Sequence, residues 1–444
     1  MNIFVRLDQY LLEMIMELLY GLEKFISFNK ACLGFFTADK YLYGHIEIAL
    51  SRINFHFIET DNYDLHKSRF IRGIYDVSDL TYIAIKFPNL TKIVHFGFER
   101  SLELDDLPES LTHLSLCDRF NQRIEPGFLP SRLTKLTFGE IYEHEIEPGV
   151  LPDSLTELYM GGSNQFIEPG VLPSSLITLS MGTYFDQPIV PGTFPNSLTI
   201  LSMGTHFNQP VVPGTFPDSL TYLCFEHSSR FNQQIEPGVL PNSLTVLILG
   251  CVCNQGFKPH SLPNSLLKLI IYGSFDQLME PGILPNALTT LHLINYFNRP
   301  IVPGTLPSTL VNLTLSSNFD QPIVPGTFPD SLTCLDFAGF SCFNQPIIPG
   351  TLPSALVKLS MSLKFNQPIL SGTFPDSLTC LKFDSSGDFN QPIDPGTLPS
   401  KLRELKLSHI FNQPIRPGTF PDSLVKVTFN EKNIQLHQKL SPNQ

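Results

Sequence analysis

The stretch from Phe207 to Phe225, FNQPVVPGTFPDSLTYLCF, recurs in register from about Phe120 to the end of the chain. Repetition of this kind fixes an architecture before any single residue is weighed. The corner glycine of the unit returns at Gly127, Gly149, Gly170, Gly192, Gly214, Gly238, Gly282, Gly304, Gly326, Gly350, Gly372, Gly396 and Gly418, mostly 22 residues apart, with 21 once and 24 three times. Between Gly238 and Gly282 a degenerate copy, Cys253 to His260, keeps the register without the glycine and brings the corners to 14.

Within the unit, Leu220, Leu223 and Phe225 are apolar, and the last two flank a single residue. That is the alternation of a half-buried strand, with Tyr222 and Cys224 turned outward. Val212-Pro213-Gly214-Thr215 puts Pro and Gly at the centre of a type II turn, because Pro presets φ and Gly tolerates a positive one. Pro210, Pro213 and Pro217 withdraw backbone donors and disfavour helix before them, which predicts an extended, polyproline-like return limb. A lone unit buries too few side chains to offset the entropy of fixing its backbone, so neighbouring units must cover one another in a solenoid. The extra residues of the longer units, such as Ser228-Ser229 and Gly387-Asp388, fall just after the strand, where a loop absorbs them.

The 36 Phe and absent Trp of this 444-residue chain reflect one residue choice copied many times. Its net charge is −12, with 29 Lys and Arg spread thinly, which argues against nucleic acid and anionic membrane as partners. The 8 cysteines show no framework spacing, which fits a reducing compartment, the cytoplasm or the nucleus. No secretory signal is read at the N-terminus, and the apolar run Tyr10 to Leu22 is broken by Glu13 and Glu17.

Leu11, Leu12, Ile15, Leu18, Leu19 and Leu22 recur at helical spacing behind Asp8, a capping residue, and a second helical run passes through Phe25, Phe28, Ala31, Cys32 and Phe35. Leu7-Asp8 at the opening, this aliphatic first helix, and Ala31-Cys32 with Phe35 at the close resemble an F-box over about 40 residues. Asp8 replaces the family's Pro, and Leu33 stands where a basic residue is usual. Read without the repeats, the same helices are a solenoid cap or a small helical domain. Residues 1–46 form this helical domain, and 47–106 a linker and N-terminal cap with eroded strand segments at Leu80–Ile85 and Leu90–Val94. The repeats fill 107–430, and 431–444 is a polar tail that covers an edge.

Phe opens 11 of the 14 units, with Tyr142, Ser163 and Cys253 as the exceptions, and the Phe-Asn-Gln-Pro pattern resembles the FNIP repeat over about 310 residues. FNIP repeats are similar to leucine-rich repeats, with Leu-Thr-x-Leu-x-Phe in place of the leucine-rich strand motif. The resemblance implies a mainly β, leucine-rich-repeat-like parallel-strand horseshoe with an irregular convex side, preceded by a small all-α F-box-like domain. The F-box resemblance implies a non-catalytic adaptor that docks on the Skp-type linker of a cullin ubiquitin ligase through Leu7, Leu11, Leu12, Ile15, Leu18, Cys32 and Phe35, while the repeats hold a substrate protein. The alternative is a free-standing repeat scaffold for protein–protein interaction. No Gly-rich phosphate loop, nucleophile elbow or HExxH helix occurs, and no cofactor is expected.

Three features compete as sites. The residue after the opening Phe is Asn ten times, Asp at 186, 276 and 320, and Glu at 143. Such a row suggests calcium, but a stacked ladder satisfying backbone groups predicts the same pattern without metal. Cys251-x-Cys253 near His260 hints at zinc, yet the spacing is wrong for a knuckle and degeneration of one repeat explains it. The outward strand positions are the third. They are apolar at Ile200, Tyr222, Val246, Ile248 and Ile270, with Tyr272 and Ile294 just beyond their strands, and mostly basic later at Lys382, Lys406 and Lys426. This pattern predicts a protein-binding groove centred on residues 200–294 of the concave face, with the lysines steering an acidic stretch of the partner. The rival reading is drift in a degenerate region, or a neighbouring loop that fills it.

Overall fold

The structure is a computed structural model that describes residues 47–49, 73–75, 89–96, 106–250, 252–337, 341–429 and 432–435. The expected helices of 1–46, the segment Leu80–Ile85 and Cys251 lie outside the described residues. The chain divides into two compact bodies, residues 1–165 with 171–176, and residues 166–170 with 177–444.

In the first body, six strands pair in parallel, each with the next: β1 (Glu47–Ala49), β2 (Gly73–Tyr75), β3 (Lys92–Phe96), β4 (His113–Leu116), β5 (Lys135–Thr137) and β6 (Glu157–Tyr159). The region read as linker and cap thus carries three strands of the same parallel sheet, one of them at the expected Leu90–Val94 segment. Leu114, Leu136 and Leu158 alternate with accessible residues and are buried, as the period-two pattern requires.

In the second body, twelve parallel strands follow one per repeat. They are β7 (Thr178–Ser180), β8 (Ile200–Met203), β9 (Tyr222–Phe225), β10 (Val246–Leu249), β11 (Lys268–Ile271) and β12 (Thr290–Leu293), then β13 (Asn312–Leu315), β14 (Cys334–Phe337), β15 (Lys358–Ser360), β16 (Cys380–Lys382), β17 (Glu404–Lys406) and β18 (Lys426–Phe429). They pair in sequence order, Leu on Leu at the central position from Leu179 to Leu405. A short antiparallel strand, β19 (Lys432–Gln435), folds onto β18 and covers the last edge.

The units turn at a Pro-Gly corner, Ser371-Gly372 and Pro259-His260 being the two variants. The Thr215 N–H donates to the Val212 carbonyl at 3.0 Å with Gly214 at φ 85°, the type II turn that the sequence dictates. A Cβ at Gly214 would meet only ordinary contacts at 3.6 Å or beyond, so the glycine is there for its backbone angle and not for space. In the degenerate unit His260 adopts the same left-handed conformation, φ 64°, and Ser261 N–H still donates to Lys258 at 3.1 Å. The corner survives there on a residue that pays in strain for what glycine does freely. No helix occurs among the described residues, in keeping with the proline-rich return limb.

Behind the strands, the opening phenylalanines stack. From Phe275 through Phe297, Phe319, Phe343, Phe365 and Phe389 to Phe411, successive rings lie 6.0–6.2 Å apart. Tyr142 takes the same slot in the first body, 6.2 Å from Phe120, and Cys253 takes it in the degenerate unit, where it is 2% exposed. Phe257 then packs 5.6 Å from Phe275, a larger side chain at the position where sister repeats carry Ile, Val or Met. Beside the rings runs the polar row. Asn208 N–H donates to Asp186 Oδ1 at 2.8 Å, and the same bond repeats at 2.8–3.0 Å through Asn232, Asn254, Asp276, Asn298, Asp320, Asn344, Asn366 and Asn390 to Asn412. Only an acceptor oxygen is used for this bond, so Asn and Asp interchange along the row. Each oxygen thereby satisfies a backbone donor of the next repeat, the role that the ladder reading gave it.

Candidate functional site

With core and corners accounted for, the strand face turned away from the core carries the residues that differ from repeat to repeat. Their positions follow from the pleat. The third and fifth places of each Leu-x-x-Leu-x-Leu segment point away from the buried leucines, and parallel register brings like positions of successive strands side by side.

In the first body this face closes on itself. Lys135 donates to Glu157 at 2.8 Å, the Tyr159 hydroxyl donates to the same carboxylate at 3.3 Å, and the ammonium lies 4.8 Å from the Tyr159 ring centre. The hydrogen bond from Lys135 holds Glu157 below the ordinary carboxylate value, and the same bond raises Lys135. Charge, hydrogen-bond donor and aromatic face are each met by a neighbour.

In the second body apolar side chains gather on this face from β8 to β12, with Lys268, Thr290 and His292 among them at the third and fifth places of β11 and β12. Ile200 is 40% exposed and Tyr222, Val246 and Ile248 are half-buried. Ile270 is not an accessible position: it retains 7% exposure, with Ile248 and His292 in register on either side. It stands on the same face as these two neighbours but offers a partner little area, so the expectation that it faces a partner is corrected accordingly. Tyr272 and Ile294 lie half-buried just past β11 and β12, and Tyr272 packs on His227 with ring centres 4.5 Å apart. The outward-place reading does not reach Leu267, which is 45% exposed just ahead of β11, and leaves out His292, which is half-buried on β12. Burial, and next the charge of Lys268, hold His292 below its ordinary value, so it is neutral at pH 7.

From β14 to β18 the face becomes charged. Glu404 receives Lys426 at 3.1 Å and lies 3.7 Å from Lys382, and the Cys380 thiol donates to it at 3.4 Å. Burial opposes its charge, but the bonds from Lys426 and Cys380 and the two ammonium charges outweigh burial and hold its carboxyl low. Lys382 and Lys426, named from the sequence as steering charges, are therefore already engaged. Lys406 and Lys358, the second not singled out from sequence, make no ion pair among the described residues. Which lysine is free depends on cross-strand register, and only the alignment of Glu404 with Cys380 and Lys426 could have signalled it. Burial raises Asp336, partly offset by a hydrogen bond from Ser360, and burial also raises the thiols of Cys224, Cys334 and Cys380, which stay protonated and weakly nucleophilic. Among the described residues no cluster of His, Cys, Asp and Glu is placed to hold a metal ion, and no helix is long and apolar enough to cross a membrane.

The FNIP Repeat pattern matches ten overlapping or successive segments between residues 98 and 432. The chain belongs to the FNIP-repeat family. No curated protein matches it. Among solved structures it is similar to CroV588, described as a novel circular LRR protein, with 35% identity and a TM-score of 0.61, covering 80% of this chain and 58% of that one. This FNIP-repeat chain thus spans a little over half the length of that relative. It is also similar to the Toll–Spatzle complex of Drosophila, with 15% identity, a TM-score of 0.55 and coverage of 82% and 57%. The TLR13–ssRNA13 complex gives 15%, 0.52, 83% and 59%. Those two likenesses concern the fold alone, a leucine-rich-repeat-like parallel β-solenoid. Such a scaffold is suited to protein–protein interaction.

Proposed function

We propose that the chain is a non-catalytic protein-binding scaffold whose second body holds its partner on the strand face of β8–β18. The observation that carries this reading is the accessible apolar group Ile200, Tyr222, Val246 and Ile248 on a face whose residues the repeat's own packing leaves free to vary. Burial keeps the face thiols of Cys224, Cys334 and Cys380 protonated, which favours binding over nucleophilic chemistry on this surface. The test is capture of partner proteins from a lysate by the full chain and by a Val246→Ser, Ile248→Ser variant. A partner retained equally by both overturns the reading.

The finer form of the proposal is a substrate receptor of a Skp/cullin-type ubiquitin ligase, working in the cytoplasm or nucleus. It is supported by the F-box-like residues Leu7, Leu11, Leu12, Ile15, Leu18, Cys32 and Phe35 ahead of the repeats. Purified Skp-type linker binds the full chain and not a Leu11→Glu, Ile15→Glu variant on this reading. If the linker binds neither, the scaffold stands free of the ligase.

A further inference from the structure

On the strand face of the second body, hydrophobic and basic surface are arranged in sequence along the array. β8–β12 present the apolar group, with Lys268 inside it on β11, and β15–β18 present Lys358, Lys382, Lys406 and Lys426. Glu404 sits within the basic group with its carboxylate on Lys382 and Lys426, while Lys358 and Lys406 have no ion pair among the described residues. A carboxylate of the chain itself thus occupies the place between two lysines that a bound carboxylate would take.

We infer that the partner contributes an extended segment, apolar over β8–β12 and acidic over β15–β18, whose carboxylates meet Lys358 and Lys406, and that Glu404 is a built-in competitor for the two remaining lysines. The inference rests on the strand face of the second body being the binding surface. Its dimensions follow from the sheet. Parallel strands stand about 4.8 Å apart and an extended chain advances about 3.3 Å per residue, so β8 to β12 accommodates about six residues. The step from β12 to β15 takes about four more, and the acids follow. Apolar contacts in the centre hold the segment, and the lysines, half-exposed and screened by salt, govern its capture and selectivity.

Selection of a displayed library of random peptides of about 16 residues on the full chain tests this directly. The expected winners pair an apolar cluster with Asp or Glu about four residues away and lose binding in the Val246→Ser, Ile248→Ser variant. For the best of them, changing its acids to Gln weakens binding roughly tenfold at low salt and by less as salt rises, as engaged surface charges require. Lys358→Gln with Lys406→Gln removes that difference. Glu404→Gln releases two lysines and tightens the acidic peptide roughly three- to tenfold without changing its Gln version, a gain that misfolding cannot imitate. Winners that depend on Val246 and Ile248 but carry no acids, or a Glu404→Gln variant that leaves the acid-to-Gln ratio unchanged, overturn this inference and spare the binding face. Winners indifferent to Val246 and Ile248 overturn the binding face itself.

Discussion

The two sides of one repeat obey opposite rules. Behind the strand, Phe stacks on Phe and Asn accepts from the next repeat's backbone, so each residue is held by its own copy and hardly varies. On the strand face neighbours differ, from the closed Lys135–Glu157–Tyr159 group of the first body to the open apolar and basic surface of the second. Residues whose partner is a copy of themselves are fixed by packing, and residues without that constraint are available for recognition.

The contrast can be broken hardest at the stack. Phe297 lies between Phe275 and Phe319 at 6.2 and 6.1 Å and is 1% exposed. Phe297→Ala is expected to cost about 3–5 kcal/mol in urea unfolding. The polar row gives a sharper test. Asn366 Oδ1 accepts from the Asn390 N–H at 3.0 Å and from Gln391 at 3.2 Å. Asn366→Ala leaves the Asn390 N–H unmet, while Gln391 keeps its bond to the residue 366 carbonyl at 3.1 Å, and costs about 1–3 kcal/mol, whereas Asn366→Asp keeps the acceptor and stays within about 0.5 kcal/mol of the parent. Equal losses in the two variants would refute the acceptor-only account.

The corner glycines, the Phe stack and the Asn/Asp row were legible in the sequence because each is a local or copy-to-copy requirement that recurs. The third and fifth strand places were legible by the same alternation. What stayed hidden depended on which side chain lies across the strand. Ile270 is buried on the face between Ile248 and His292, and Glu404 claims Lys382 and Lys426; both require the register and the lateral spacing of the sheet. His260 in the left-handed region was hidden as well, since a lost glycine reads as a lost corner until the backbone is seen.

The strand face supplies the smaller effects. Asp336 has a folded pKa raised above 3.8 by burial, so the folded chain binds that proton more tightly than the unfolded chain. Its ionisation costs stability above the folded pKa, and the cost disappears as pH falls below the unfolded value. Asp336→Asn is therefore expected to raise Tm slightly at pH 7 and to lose that gain below pH 3.8, measured by thermal melts at both pH values. Lys135→Ala, at an ion pair whose side chains are 36% and 41% exposed, should change stability by less than about 0.5 kcal/mol. A large loss there would mean that the first body's face carries structural weight like the stack behind it.

Because each Asn/Asp oxygen and each ring is answered by the repeat next to it, deleting or duplicating one whole unit from the interior joins surfaces that already fit. The array can therefore lengthen or shorten by in-frame recombination without a new core being invented, and every such event moves the strand-face residues relative to one another. Inheritance in this chain acts on the spacing between recognition residues as readily as on their identity.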